Sequence, residues 1–304
     1  MVYFTCSLEG KIGKIRLLNS SLICFFSYAN DLLTGILIGL VCFTANLFDA
    51  SKLYHSIRSQ STLKLYVIFN VLEVMDKLFS SFGLDLLDAF FSQTPPGISS
   101  VYPFILCAIY IRKNSAVKLF LFYYCLCFIF TILVLHCLIL LNQVITLNVA
   151  VNSYSNSVLS LLVSNQFMEL KSSVFKKFER ENLFQLLFSD SIERFQLFIF
   201  LFIIGTRNLT QISSSEVLNR VIPPLFLIFC TEIGIDALKH AFITKFNHIP
   251  PSVYNYFKES LSNDFLSVSS NIPDQSIMIS RKMGFSSLPH TCLVLQNLII
   301  SSFY

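Results

Sequence analysis

Between Lys118 and Glu169 the chain carries no Asp, Glu, Lys or Arg. Within that gap Leu119–Leu141 is apolar along its whole length, with His136 the only ionisable group other than Cys and Tyr. A membrane span needs roughly 17–25 apolar residues. Lipid has no water to satisfy a bare backbone, so a spanning segment of this kind must be a helix. The rest of the chain fits the same solvent. Hydrophobic residues make up 54% and charged residues 13%, against roughly 45–50% and about 25% in soluble domains, and the mean hydropathy is +0.66. A soluble fold cannot hide that excess, so the sequence predicts an all-α, polytopic integral membrane protein.

Other segments give a range of about four to six membrane segments, joined by amphipathic interfacial helices. Leu32–Phe48 is bracketed by Asp31 and Asp49 and contains Gly35 and Gly39. Glycines four apart share a helix face and admit a close neighbour, so they are candidate helix-packing residues. From Leu65 to Phe82 apolar residues recur at helical spacing, and Gly83 is expected to end that helix. Ile98–Ile111 is apolar but short. Asn142–Met168 is uncharged yet rich in Asn and Ser, which predicts a polar-faced helix separate from the span. Phe195–Thr206 is a short apolar stretch between Arg194 and Arg207. Pro223-Pro224 opens another helix, Leu225–Phe246. Met283–Tyr304 is a last apolar segment. Residues 1–304 are expected to form one helical membrane domain.

Met1–Ser7 is too short for the apolar core of a cleaved signal, so insertion is expected to use an internal span. A net charge of +4 is too weak to suggest a nucleic-acid partner. The nine cysteines contain no C-x-x-C pair, and most sit inside apolar runs as small hydrophobes. Phosphate-binding loops, H-E-x-x-H and G-x-S-x-G are absent, so no catalytic residue, metal or cofactor is expected.

Two charge patterns are candidate sites. From Phe167 to Arg180 one face is apolar, and Lys176, Lys177 and Arg180 lie on the other. That arrangement suits an anionic leaflet, with membrane lipids as partner, and it equally suits a solvated cytosolic helix. Glu232, Asp236, Lys239 and His240 share one helix face. Ionisable groups inside a membrane are costly to bury and suggest function. The expected role is a self-neutralising stripe near a helix end that emerges into water, with Asp236 paired to Lys239 and His240. His136 and His290 are expected to be packing residues. Sequons occur at Asn19 and Asn208.

Several ordered segments go beyond periodicity. Tyr54-His55-Ser56-Ile57-Arg58-Ser59-Gln60-Ser61 leads to Asp76-Lys77-Leu78-Phe79-Ser80-Ser81-Phe82-Gly83. Ser173 to Glu179, Glu193-Arg194-Phe195, Glu232-Ile233, Lys239 to Asn247 and Arg281 to Phe285 follow in order. Together they resemble the transmembrane anterior posterior transformation protein family. The resemblance implies a multi-pass protein of the endoplasmic reticulum membrane that is not an enzyme. It implies support of protein folding and quality control through other membrane or lumenal proteins. In animals it implies developmental patterning and cilium formation, with association at the ciliary base. Relative to that pattern the chain is expected to be truncated at both ends and to carry an insertion at 98–118. The alternative from the residues themselves is a channel or transporter using Glu232, Asp236 and the Asn142–Met168 helix.

Overall fold

A computed structural model describes residues 34–92, 116–152, 157–174, 176–211, 221–268, 280 and 283–302. Nine helices of nine residues or more lie in this part, and no strand occurs among the described residues. They are α1 (Thr34–Asn46), α2 (Ala50–Arg58), α3 (Thr62–Ser92), α4 (Ala116–Val151), α5 (Ser157–Val174), α6 (Arg180–Gln211), α7 (Ile222–Phe246), α8 (Ser252–Val268) and α9 (Ser287–Ser302). The sequon at Asn19, the apolar stretch 98–111 and the greater part of the expected insertion lie outside the described residues.

The organising element is α4. Within it Leu126–Val151 is long and apolar enough to cross a membrane. The α1 and α2 pair would supply a second span if its 55° bend lies inside one crossing. Asp49 sets that bend by capping α2, accepting from the backbone N–H of Ser51 at 3.0 Å and of Lys52 at 3.4 Å.

Helices α2, α3, α5, α6 and α9 all pack on α4, and α7 closes against α5 and α6. The main core joins Leu140, Val144, Ile145 and Leu147 of α4 to Phe200 and Ile204 of α6, Leu225 and Ile228 of α7 and Leu293 of α9. A second core seats Val41, Cys42 and Ala45 of α1 against Ile129, Leu133 and Cys137 of α4 and Cys292 of α9. A third, smaller one holds α8 to the bundle through Leu183, Ile243, Val253 and Phe257.

Four boundaries and one packing face differ from the sequence expectation. Gly83 does not end α3, which runs on to Ser92; a helical glycine costs only about 1 kcal/mol, and the packed face outweighs it. Asn142 does not begin a new helix. Its amide donates to Leu138 O at 2.9 Å, and Thr146 donates back to Asn142 O at 2.7 Å, so both bond within the turn and α4 continues to Val151. The expected Asn142–Met168 helix is therefore two helices. The expected continuous helix through Phe167–Arg180 is also two, because α5 ends at Val174 and α6 starts at Arg180. The Phe195–Thr206 stretch is part of the C-terminal half of α6, not a separate short helix. The packing face of α1 is Val41, Cys42 and Ala45; a Cβ added at Gly35 or Gly39 would meet nothing within 4 Å among the described residues.

Candidate functional site: a buried polar seam

Buried polar groups on five of these helices meet one another along a seam. At its charged end stands Lys239 of α7, only 1% exposed. Its ammonium lies 2.9 Å from Glu169 Oε1 of α5, 2.9 Å from Asp190 Oδ1 of α6 and 3.4 Å from Asp236 Oδ1 one turn earlier. Asp236, also buried, is held on its other oxygen by the guanidinium of Arg194, which donates in turn to Ser191 Oγ at 3.1 Å. His240 completes the knot, with Nε2 3.0 Å from Asp190 Oδ2 and Nδ1 3.0 Å from the Tyr254 hydroxyl of α8. Burial and the nearby Asp190 carboxylate push the Tyr254 phenol above its ordinary range. Glu232 accepts from the Gln166 amide of α5.

This geometry corrects the expected stripe. Asp236 does pair with Lys239, but His240 pairs with Asp190 and not with Asp236. Asp236 and Lys239 are buried between three helices, while Glu169, which binds Lys239, keeps a side chain 45% exposed and Glu232 and His240 are partly buried. The helix emerges only beyond them, where Lys245 and His248 are exposed.

The seam continues into α3. Glu193 of α6 binds Lys77 at 2.9 Å, and Lys77 also stands 3.7 Å from Glu73. The carboxylate oxygens of Glu169, Asp190 and Glu193 lie within 4.8 Å of one another, a spacing that would suit a cation. The chain supplies that charge itself, through Lys239 to the first two and Lys77 to the third.

At the other end Asp76 of α3 is 5% exposed. One of its oxygens lies 2.7 Å from His136 Nε2, in the middle of α4, and the other accepts from the Gln196 amide of α6 at 2.8 Å. Gln196 also reaches the buried Gln143 at 3.4 Å. The His290 ring of α9 stands edge-on to His136 at 6.3 Å, and Phe285 packs on it at 4.9 Å. Gly284, at φ +71°, makes the turn that delivers Phe285; a residue with a Cβ would be strained there. His136 is thus a hydrogen-bond partner of Asp76 and not only a packing residue.

A separate neutral cluster joins α4 and α6. Asn152 donates to Asn148 Oδ1 at 2.8 Å and to Asn208 Oδ1 at 3.1 Å, while Asn208 donates to Asn148 Oδ1 at 3.1 Å and to Ile204 O at 2.8 Å. Asn208, the sequon asparagine, is 2% exposed and fully engaged.

The sequence singled out Glu232, Asp236, Lys239 and His240 by their shared helix face. It gave no sign that Glu169, Asp190 and Arg194 complete the knot, because those contacts span 42 to 70 residues. Lys176 and Lys177 are exposed in the turn before α6. The backbone carbonyl of Lys176 accepts from Asn247 at 3.4 Å, and Arg180 is the first residue of α6. Lys176 and Lys177 lie outside the seam.

A family model described as "Eukaryotic membrane protein family" matches residues 25–303. The chain is 39% identical over 280 residues to Endoplasmic reticulum membrane protein 65 of Schizosaccharomyces pombe, covering 88% of this chain and 41% of that protein. It is 39% identical over 286 residues to Transmembrane anterior posterior transformation protein 1 homolog of Gallus gallus (92% and 45%), and 38% identical over 286 residues to the Homo sapiens protein of that name (92% and 46%). The chain spans a little under half the length of these relatives. No solved structure matches it. A match over nearly the whole chain, on a helical bundle built round an apolar span, settles the assignment: the chain belongs to the eukaryotic membrane protein family that contains the transmembrane anterior posterior transformation proteins.

Proposed function

We propose that this chain is a non-catalytic protein of the endoplasmic reticulum membrane with four to six membrane segments. It supports the folding and quality control of other proteins by holding membrane or lumenal partners. In animals the same activity would serve developmental patterning and cilium formation, including association with the ciliary base. The name of the fission-yeast relative supports the compartment. The observation that carries the non-catalytic reading is the state of the seam. Lys239, Arg194, Lys77 and His136 each bind carboxylates of the chain's own helices. A catalytic site keeps a reactive group open to substrate, whereas these groups are engaged with one another. A cleft of about 710 Å³ between α6 and α8, lined by Glu181, Phe184, Tyr256 and Phe257 among others, lies apart from them.

The test is crosslinking of the full chain in endoplasmic reticulum membranes, followed by capture under denaturing wash and identification of what is attached. Folding intermediates and lumenal chaperones are expected. A capture free of both would contradict the proposal.

A second reading, ion or proton transport, is favoured by one feature. Carboxylates in the seam (Glu73, Asp76, Glu169, Asp190, Glu193, Glu232, Asp236) outnumber its fixed cations (Lys77, Arg194, Lys239). That reading requires a flux across reconstituted vesicles that Asp236→Asn abolishes with assembly intact.

A further inference from the structure

We propose that α3 and α6 run through the hydrocarbon beside α4, with the charges of their middle turns directed to the seam and their apolar outer faces against lipid acyl chains. Neither helix passes as a span on length and composition. The inference deepens the multi-pass reading above by naming helices that composition hides.

Depth comes from α4. A helix that touches the middle of a span lies at the depth of that middle. His136 sits near the centre of Leu126–Val151, and three helices reach it or its neighbours: α3 through Asp76, α6 through Gln196 and α9 through His290. Half of the apolar window of α4 is buried inside the bundle, so these neighbours stand where lipid would otherwise be.

The outer faces agree. On α3 the exposed residues Leu63, Val67, Val71, Val74, Met75, Leu78 and Phe82 fall within about 120° of arc at 100° per residue. Asp76 lies on the opposite side, and Lys77 leans across to Glu193. From Leu63 to Phe82 the arc extends about 29 Å along the axis, close to the roughly 30 Å hydrocarbon core. On α6, Phe195, Phe198, Phe202 and Leu209 are each about half exposed and fall within about 60° of arc, while Asp190, Glu193, Arg194 and Asn208 turn inward. Exposed Lys64 and Asp85 bracket the apolar arc of α3 and Lys77 stands half exposed at its edge; between those ends α3, like the Phe195–Leu209 stretch of α6, is apolar outside with Asp76, Asp190 and Asn208 buried inside.

The exterior of α8 is built the other way. Its exposed residues mix polar Asn255, Lys258 and Glu259 with Tyr256 and Leu266, so it presents no continuous apolar arc. Hydropathy windows misjudge α3 and α6 because they add the charges without knowing that the partners are internal. A charge satisfied inside the bundle does not meet lipid.

The chain contains no tryptophan, so one introduced residue is a unique fluorescent reporter. Leu78→Trp on α3, Phe198→Trp on α6 and Tyr256→Trp on α8 would each be placed in the full chain and reconstituted into phosphatidylcholine bilayers. Val71→Trp and Phe202→Trp repeat the measurement on the same arcs should either first variant fail to fold. Lipids brominated on the acyl chain should quench the α3 and α6 reporters. Aqueous iodide should quench them at least about threefold less than the Tyr256→Trp control, since it does not enter hydrocarbon. Iodide quenching equal to that control would put these faces in water and overturn the proposal. Protection from both quenchers would show that protein, a second copy or a partner, covers them, and would overturn it equally. The readout needs no partner, so failure of the capture experiment leaves it standing, and the reverse also holds.

Discussion

Lys239 and Asn208 are both sealed inside the same bundle, at 1% and 2% exposure, and they are satisfied by different means. Lys239 draws carboxylates from α5, α6 and its own helix. Asn208 needs only two amides from α4 and the backbone carbonyl one turn before it. The amide cluster is a local staple between two helices that already share an apolar core. The charged knot joins α5, α6 and α7, with Tyr254 of α8 bound to its His240, and cannot lose a member quietly. A stranded buried charge costs several kcal/mol, because nothing nearby replaces water. A stranded amide costs about 1–3 kcal/mol. The two regions therefore predict different sensitivities to substitution.

The largest effect is expected for Lys239→Met, which keeps most of the length of the side chain and removes its charge. Asp190 and Asp236 would stay buried with less compensation, and a loss of about 3–5 kcal/mol is expected in reversible unfolding of the reconstituted protein. A loss below about 1 kcal/mol would mean that water or another cation already serves the knot.

Asp76→Leu comes next. It strands His136 in the middle of α4 and one donor of Gln196, and should cost about 2–3 kcal/mol in the same assay. Asn208→Leu should cost less, about 1–2 kcal/mol, since Asn148 and Asn152 keep each other. The same burial predicts that Asn208 carries no glycan in the folded protein: Asn208→Gln should leave its gel mobility unchanged after expression in glycosylating membranes. A mobility shift would show that this end of α6 opens.

The smallest effect is expected at the surface. Replacing both Lys176 and Lys177 with Gln should change stability by less than about 0.5 kcal/mol. It should still weaken association of the turn with anionic headgroups, by about 1 kcal/mol for each charge that reaches them. Fluorescence transfer from a label in this turn to anionic lipid, read at low and high salt, would show this. Indifference to salt and to the substitutions would leave the turn in water.

The contrast between the two regions also marks what the residues reveal in order along the chain. The span in α4 was legible because Leu119 to Leu141 holds no Asp, Glu, Lys or Arg and only one histidine, so its apolar length can be read without knowing a partner. The face shared by Asp236 and Lys239 was legible because spacing on one helix is local. Its burial was not, because burial is set by Asp190 and Glu169, far away in sequence. Asn142 and Gly83 misled for a related reason. Each weakens a helix locally, and each is overruled, by side-chain bonds within the turn in one case and by packing in the other. The glycine pair in α1 carried a packing pattern, yet the neighbours settle on Val41, Cys42 and Ala45 one turn further on.

The central claim is that the charges of the seam exist for one another. A double-mutant cycle on Lys239 and Asp190 tests it most directly, with Lys239→Met, Asp190→Leu and the pair compared by unfolding in the same bilayers. The account predicts strong coupling, on the order of 2 kcal/mol or more, with the double variant at least as stable as the worse single one, because removing both partners strands neither. Additive losses, with coupling under about 0.5 kcal/mol, would show that each group answers to something outside the seam and would contradict the account.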